Sequence, residues 1–455
     1  MRQTASALLL SGATLLTASW AQGAPDLSGP LDVEGCVEVA LSGHAHLARD
    51  AARVEQYRAR LAEVQAIFTP KINALAFVAP TFTVRGGALQ ENVERDFSPD
   101  AWGPYTHLEA VLAMPIYTFG RGDAGNRAAR HRLAVEKARL RETRNVVARE
   151  VRRLYAEHLY ARSLEPMLEK ALGQLQEALE QGRTRYEGGQ GEISQIDLMK
   201  LEYGYAKLRR FSKVAEDGAS LSFSALKHAM GLPEDASLNL ADQRLKRPKG
   251  EAPQLSTLLQ QAAKSRPEWA QLTEGRAAAL SLAEAERLAN APTAFVAGTF
   301  NADYAPTRDD SPNPYHNDPF NRINGGVAIG LQWDFDPYTA SAKGDAAEAL
   351  AQEVDALKRF ADTGIPLQVR QAHQSLTRAL TLIEIARDEV KSTRKWMTSA
   401  ATAYRTGLGP PRDLLEGLAA HLEARQSYYA ALKAHRQALA DLYFAVGRDH
   451  PLGSP

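Results

Sequence analysis

Four short stretches carry residue types that could do chemistry, and in each the spacing decides what they can do. Glu187-Gly-Gly-Gln-Gly191 has the glycine density of a loop that cradles phosphate on backbone N–H groups. It lacks the Lys-Ser/Thr ending and lies between helices instead of after a strand, so nucleotide binding is not expected. His44-Ala-His46 offers two metal-binding side chains, but helical positions i and i+2 do not face each other. Arg121-Gly-Asp123 is a polar helix start. Cys36 is the single cysteine and has no internal disulfide partner, and Asp32-Val33-Glu34-Gly35 before it lacks the apolar residues expected ahead of a lipidated cysteine. No set of nucleophile, base and orienting group can be assembled, so neither an enzyme nor a bound cofactor is expected.

The elements that must position these residues are better defined than any site. Lys plus Arg number 54, as do Asp plus Glu, which removes the basic footprint of a nucleic-acid binder. Arg2, an apolar run over residues 7–16 and the small-x-small pattern Ser19-Trp20-Ala21 predict a signal peptide over residues 1–21. Beyond it no segment reaches the roughly 18 apolar residues of a spanning helix, so a membrane location requires β-strands.

Two related glycine-bearing stretches organise the chain, RYEGGQGEISQIDL at 185–198 and AYRTGLGPPRDLL at 403–415. Tyr186 and Tyr404 stand 218 positions apart, each is followed three places later by a glycine, Gly189 or Gly407, and each then meets an aspartate, Asp197 or Asp413. Glycine permits the reversal and an acid suits the start of the next helix, so both stretches predict tips of helical hairpins. The second copy also carries Gly409.

Around these tips the order of elements repeats. Repeat 1 (22–238) predicts a helix over 33–68, strands near 71–84 and 105–117, a long helix over 122–186 and a helix over 196–230. The 239–253 linker follows. Repeat 2 (254–447) predicts a helix over 255–289, strands near 293–304 and 324–335, a long helix over 338–404 and a helix over 413–446, with a tail at 448–455. Pro70 and Pro292, which open the strand regions, are 222 positions apart. The first long helix would run roughly 98 Å at about 1.5 Å per residue. The first carries a seven-residue rhythm from Val147 to Leu179, broken only by His158 and Glu165, the signature of a coiled coil. Pro166 and Pro366 predict local kinks. In the last strand Val327, Ile329, Leu331, Trp333 and Phe335 alternate with small or polar residues, as lipid-facing strands do. Four strands cannot close a transmembrane barrel, for which about eight is the lower end, so the chain is expected to oligomerise.

Taken together, the two tips, Pro70 and Pro292, Pro115-Ile-Tyr-Thr-Phe-Gly120, Met230-Gly231-Leu232 and Ala445-Val446-Gly447 resemble the TolC-like outer-membrane efflux protein family over nearly the whole mature chain. The resemblance implies a membrane α+β protein. It would be a homotrimer whose 12-stranded β-barrel in outer-membrane lipid continues as a periplasmic α-helical barrel. It implies a passive exit duct of a tripartite efflux or type I secretion system, docked through Tyr186, Gly189, Gly191, Gly407 and Gly409 to a periplasmic adaptor. The adaptor in turn serves an inner-membrane pump, either a proton-driven RND transporter or an ABC ATPase. It places Asp413, Glu416, Tyr404 and Asp197 at the periplasmic entrance. Gly409 stands where well-known members carry a basic gating residue, and the first tip has two more residues between tyrosine and aspartate than the second. The competing expectation is a periplasmic coiled-coil adaptor or scaffold without a barrel, although adaptors usually offer one hairpin, not two.

Overall fold

The computed structural model describes residues 29–86, 93–188, 193–248, 250–310 and 319–451. The expected signal peptide, Gly189, Gly191 and the end of the tail lie outside these residues. Repeat 1 comprises α1 (Val33–Gly43), α2 (Ala45–Gln65), β1 (Lys71–Arg85), the short β2 (Glu94–Asp96), β3 (Trp102–Tyr117), α3 (Arg121–Glu187) and α4 (Gln195–Ala229). Repeat 2 comprises α5 (Leu255–Ser265), α6 (Pro267–Arg287), β4 (Thr293–Tyr304), β5 (Arg322–Gln332), α7 (Pro337–Arg405) and α8 (Pro411–Val446). Between the strands expected near 71–84 and 105–117, β1 runs on to Arg85, β2 pairs with its end and β3 begins at Trp102. Both long helices pass through their prolines, Pro166 and Pro366, without interruption.

The first helix of each repeat is broken in two where the sequence predicts one. His44 and Arg266 are both extended, with ψ of 129° and 122°. For Arg266 the cause is Pro267, whose ring disfavours the helical conformation in the residue before it. Each break receives the glycine that ends the last helix of its own repeat. Gly231 and Gly447 are left-handed, at φ +72° and +80°. A Cβ on Gly447 would lie 2.7 Å from the Arg266 Cα, and one on Gly231 would lie 3.2 Å from the Gly43 carbonyl oxygen. Glycine is required there by its φ and by the close approach. The Arg266 guanidinium then donates to the Phe444 carbonyl and to Gln368.

Two compact units divide the chain. One unit takes the described residues up to Ala52, with 139–269 and 360–451. Its core includes Cys36, Val147, Val151, Tyr155, Leu159, Leu226 and Leu432. Nearer the tips it includes Leu168, Leu175, Leu201, Tyr404, Leu414 and Leu418. The seven-residue stripe of α3 is the row that enters these clusters, and His158 within it is a satisfied core histidine. Its Nδ1 lies 3.1 Å from the Ala219 carbonyl and burial lowers its pKa.

The other unit, 53–138 and 270–359, holds the sheet, in the order β2-β1-β3-β4-β5 with every neighbouring pair antiparallel. It is a single open sheet. Among the described residues, β5 has no partner on its outer side, and β1 is paired there only at Thr83, Val84 and Arg85.

Candidate functional site

The strand register sorts the sheet into two chemically distinct faces. The rows Ile72, Leu112, Gly298, Val327 and Ala76, Leu108, Ala302, Ile323 lie on one face, together with Val296, Ile329 and Leu331. Every one of these residues is apolar. The opposite face carries Asn73, Val111, Thr299, Gly326, then Leu75, Glu109, Asn301, Asn324, then Phe77, His107, Asp303, Arg322. Val327 and Ile329 are 81% and 77% exposed, so among the described residues nothing covers the apolar face at this edge. β5 ends at Gln332, which leaves Trp333 just beyond the strand, its Nε1 donating to the Asn290 carbonyl at 2.7 Å. A strand of 11 residues at about 3.4 Å each, tilted near 45°, spans roughly 26 Å, the height of an outer-membrane apolar band.

The turns between paired strands are fastened to each other across the repeats, which the sequence did not signal. The Arg308 guanidinium lies over the rings of Phe82 and Phe320, at 4.7 and 4.2 Å, and donates to Thr81 Oγ1. Asp309 accepts from Arg85 Nη1 at 3.0 Å and from the Gly86 backbone N–H at 2.8 Å.

At the helical tips the predicted residues separate into those that build the turn and those that are exposed. Asp197 is the third residue of α4 and forms a capping box with Ser194, each side chain bonding the other's backbone N–H. Hydrogen bonds from Ser194 hold the Asp197 carboxyl below the usual carboxylate range. Tyr404 is 1% exposed, and its hydroxyl donates to the Ala178 carbonyl at 2.8 Å, so it joins α7 to α3 inside the core. Arg185, at the end of α3, donates to the carbonyls of Tyr404 at 2.8 Å and Arg405 at 2.6 Å, the open end of α7. Lone carbonyls at a helix C-terminus carry partial negative charge, so a guanidinium is well placed there. Asp413 and Glu416 are exposed on one face of α8, and Glu416 accepts from Arg412 Nε at 2.7 Å. Gly407 turns the second tip at φ +77°, and Leu408 beside it is 87% exposed. Tyr186 is half exposed. The rings of His44 and His46 lie with centroids 5.2 Å apart, tilted at 56°, and among the described residues no group of His, Cys, Asp and Glu is arranged to hold a metal. No helix among them is long and apolar enough to cross a membrane.

A sheet with strands of bilayer height and one predominantly apolar face, joined in sequence to helices of 67 and 69 residues, has the make-up of a membrane-embedded strand region continued by long helices. Residues 36–197 match the family model described as outer membrane efflux protein. The outer-membrane channel OprN superposes with a TM-score of 0.74 at 16% identity, over 91% of this chain and 89% of its own. The Campylobacter jejuni CmeC outer membrane channel gives 0.74 at 15%, over 93% and 87%. The open state of the Neisseria gonorrhoeae MtrE outer membrane channel gives 0.68 at 16%, over 92% and 89%. No curated protein matches significantly by sequence. The resemblance to the TolC-like outer-membrane efflux protein family is thus supported in sequence over residues 36–197 and in fold over 91% or more of the chain, and the outer-membrane location goes with it.

Proposed function

We propose that three copies of this chain form the exit duct of a tripartite efflux or type I secretion system, conducting substrates passively to the exterior. The open sheet is the observation that carries this reading. Its free edges, β1 and β5, would leave N–H and C=O groups unpaired in hydrocarbon, where each costs several kcal/mol. With β1, β3, β4 and β5 alternating in direction, β5 of one copy meets β1 of the next in antiparallel fashion, and a ring closes without edges. Three copies give the 12 strands implied by the resemblance. Outer-membrane fractionation with heat-modifiable migration tests it; a soluble periplasmic monomer would favour the scaffold alternative.

In this arrangement the turns at 86–101 and 305–321 face the exterior and the helical tips face the periplasm. A tag inserted after Asp310 is expected to be reached by antibody on intact cells, and one after Gly189 only after the outer membrane is breached. The opposite labelling pattern would overturn this topology. Leu408, Tyr186 and the glycines of both tips would dock a periplasmic adaptor that couples the duct to an inner-membrane pump of RND or ABC type.

Asp413 and Glu416 would line the periplasmic entrance, with Asp197 and Tyr404 holding the tips that frame it. The pair Arg412–Glu416 is exposed and its cation offsets one carboxylate, so Arg412, Asp413 and Glu416 together leave one negative charge per chain. Asp413→Asn with Glu416→Gln should lower cation selectivity in planar bilayers and weaken block by multivalent cations added from the periplasmic side. Unchanged selectivity in an assembled variant would leave both as helix-start acids.

A further inference from the structure

One cluster on the polar face of the sheet is built more tightly than strand pairing requires. The Asp303 side chain is fully buried and its carboxylate accepts from Tyr105 Oη at 2.6 Å and from Arg322 Nε at 2.7 Å. His107 Nδ1 lies 2.6 Å from the same carboxylate, and Nε2 on the other side of the ring lies 3.6 Å from Glu109. Phe77 of β1 covers the imidazole, with ring centroids 4.9 Å apart. These are the groups that face His107 from every neighbouring strand: Phe77 from β1, Asp303 from β4 with Arg322 of β5 behind it, and Tyr105 and Glu109 from its own strand. Nδ1 is within hydrogen-bond reach of the Asp303 carboxylate and Nε2 lies at ion-pair distance from Glu109, so a proton gained by the ring would sit between two carboxylates.

We propose that His107, Glu109, Asp303 and Arg322 form a proton-controlled charge filter near the outer mouth of the duct, with His107 deciding whether that ring favours cations. This rests on the duct reading above, in which the polar face lines the lumen. With His107 protonated the four charges sum to zero in each chain; without that proton the sum is one negative charge. Symmetry would repeat the change around the barrel, and a ring of side-chain charge at a constriction sets the sign of the permeant ion. Asp303, locked by three donors, supplies the fixed pole, and Glu109, part exposed, presents the surplus to passing solutes.

The test is the reversal potential of the purified protein in planar bilayers under a potassium chloride gradient. Between about pH 5 and about pH 9 the wild-type cation-to-anion permeability ratio should rise at least about twofold. His107→Gln should flatten that rise and hold the ratio near the high-pH value. His316→Gln, a second histidine, in the segment joining β4 and β5, should leave it intact. Glu109→Gln should move the whole profile toward anions while keeping its slope. A wild-type ratio indifferent to pH, or a His107→Gln variant that keeps the wild-type rise, would overturn the filter even though the protein conducts. If the wild type fails to conduct at all, the duct reading fails instead.

Discussion

Val327→Arg is expected to abolish outer-membrane assembly, while Ala328→Ser next to it leaves assembly intact. Val327 is the middle residue of the 11-residue β5 and lies on the apolar face in the row Ile72, Leu112, Gly298. An arginine at the bilayer midplane costs about 2 to 4 kcal/mol, falling to about 0 to 1 near the interface. The proposed ring repeats the cost three times, to roughly 6 to 12 kcal/mol, which is comparable to the whole stability of a typical domain. Ala328 belongs to the other face, opposite Ala297, where a hydroxyl would meet water. Depth sharpens the test. Ile329→Arg, two residues from the strand centre, should also be severe, and Leu331→Arg, close to the strand end, should be milder. Heat-modifiable trimer in outer-membrane fractions is the readout. Equal assembly of Val327→Arg and Leu331→Arg would mean that the apolar face does not meet lipid.

That face was legible in the sequence because a strand buried on one side must alternate, and β5 sets Val327, Ile329 and Leu331 against the small residues Ala328 and Gly330. The order of helices and strands was legible for a related reason: the same order occurs twice at almost constant offset, so a weak signal at Pro70 is supported by one at Pro292. What escaped was whatever depends on partners remote in the chain. The break at Arg266 has a local sign in Pro267 and the one at His44 a weaker sign in Gly43, but the approach of Gly231, 187 positions after His44, is not written in either. The entrance residues show the limit more sharply. The tyrosine–glycine–aspartate spacing located both tips, yet it could not tell that Asp197 is absorbed by Ser194 in a capping box while the equivalent Asp413 follows Pro410 and stays exposed. Nor could it find the Asp303 cluster, whose members come from three strands and meet only when the register is set.

Arg185→Gln is expected to release the second tip. The guanidinium bonds two carbonyls at the end of α7 and lies over the Tyr404 ring, with 5.4 Å to its centroid. Hydrogen bonds from a charged donor contribute about 1.5 to 3 kcal/mol when buried, and here one is half-buried and the other exposed, so a joint contribution of about 2 kcal/mol is reasonable. Glutamine is too short and has no fork to span both carbonyls. Removing about 2 kcal/mol from the closed tip raises its opened population about thirtyfold. Trypsin reads that population directly, because Arg405 ends α7 and its bond becomes a substrate only when the turn at 406–410 separates from α3; cleavage at a transiently opened site follows the open fraction. Tryptic cutting after Arg405 in assembled protein should therefore accelerate about thirtyfold. Arg185→Lys, which keeps the charge but can reach only one carbonyl well, should fall between it and wild type. Tyr404→Phe, which loses only the bond to Ala178, should accelerate cutting by no more than about tenfold. If Arg185→Gln is cut at the wild-type rate, α7 is held by the core around Tyr404 alone and the guanidinium is not a latch.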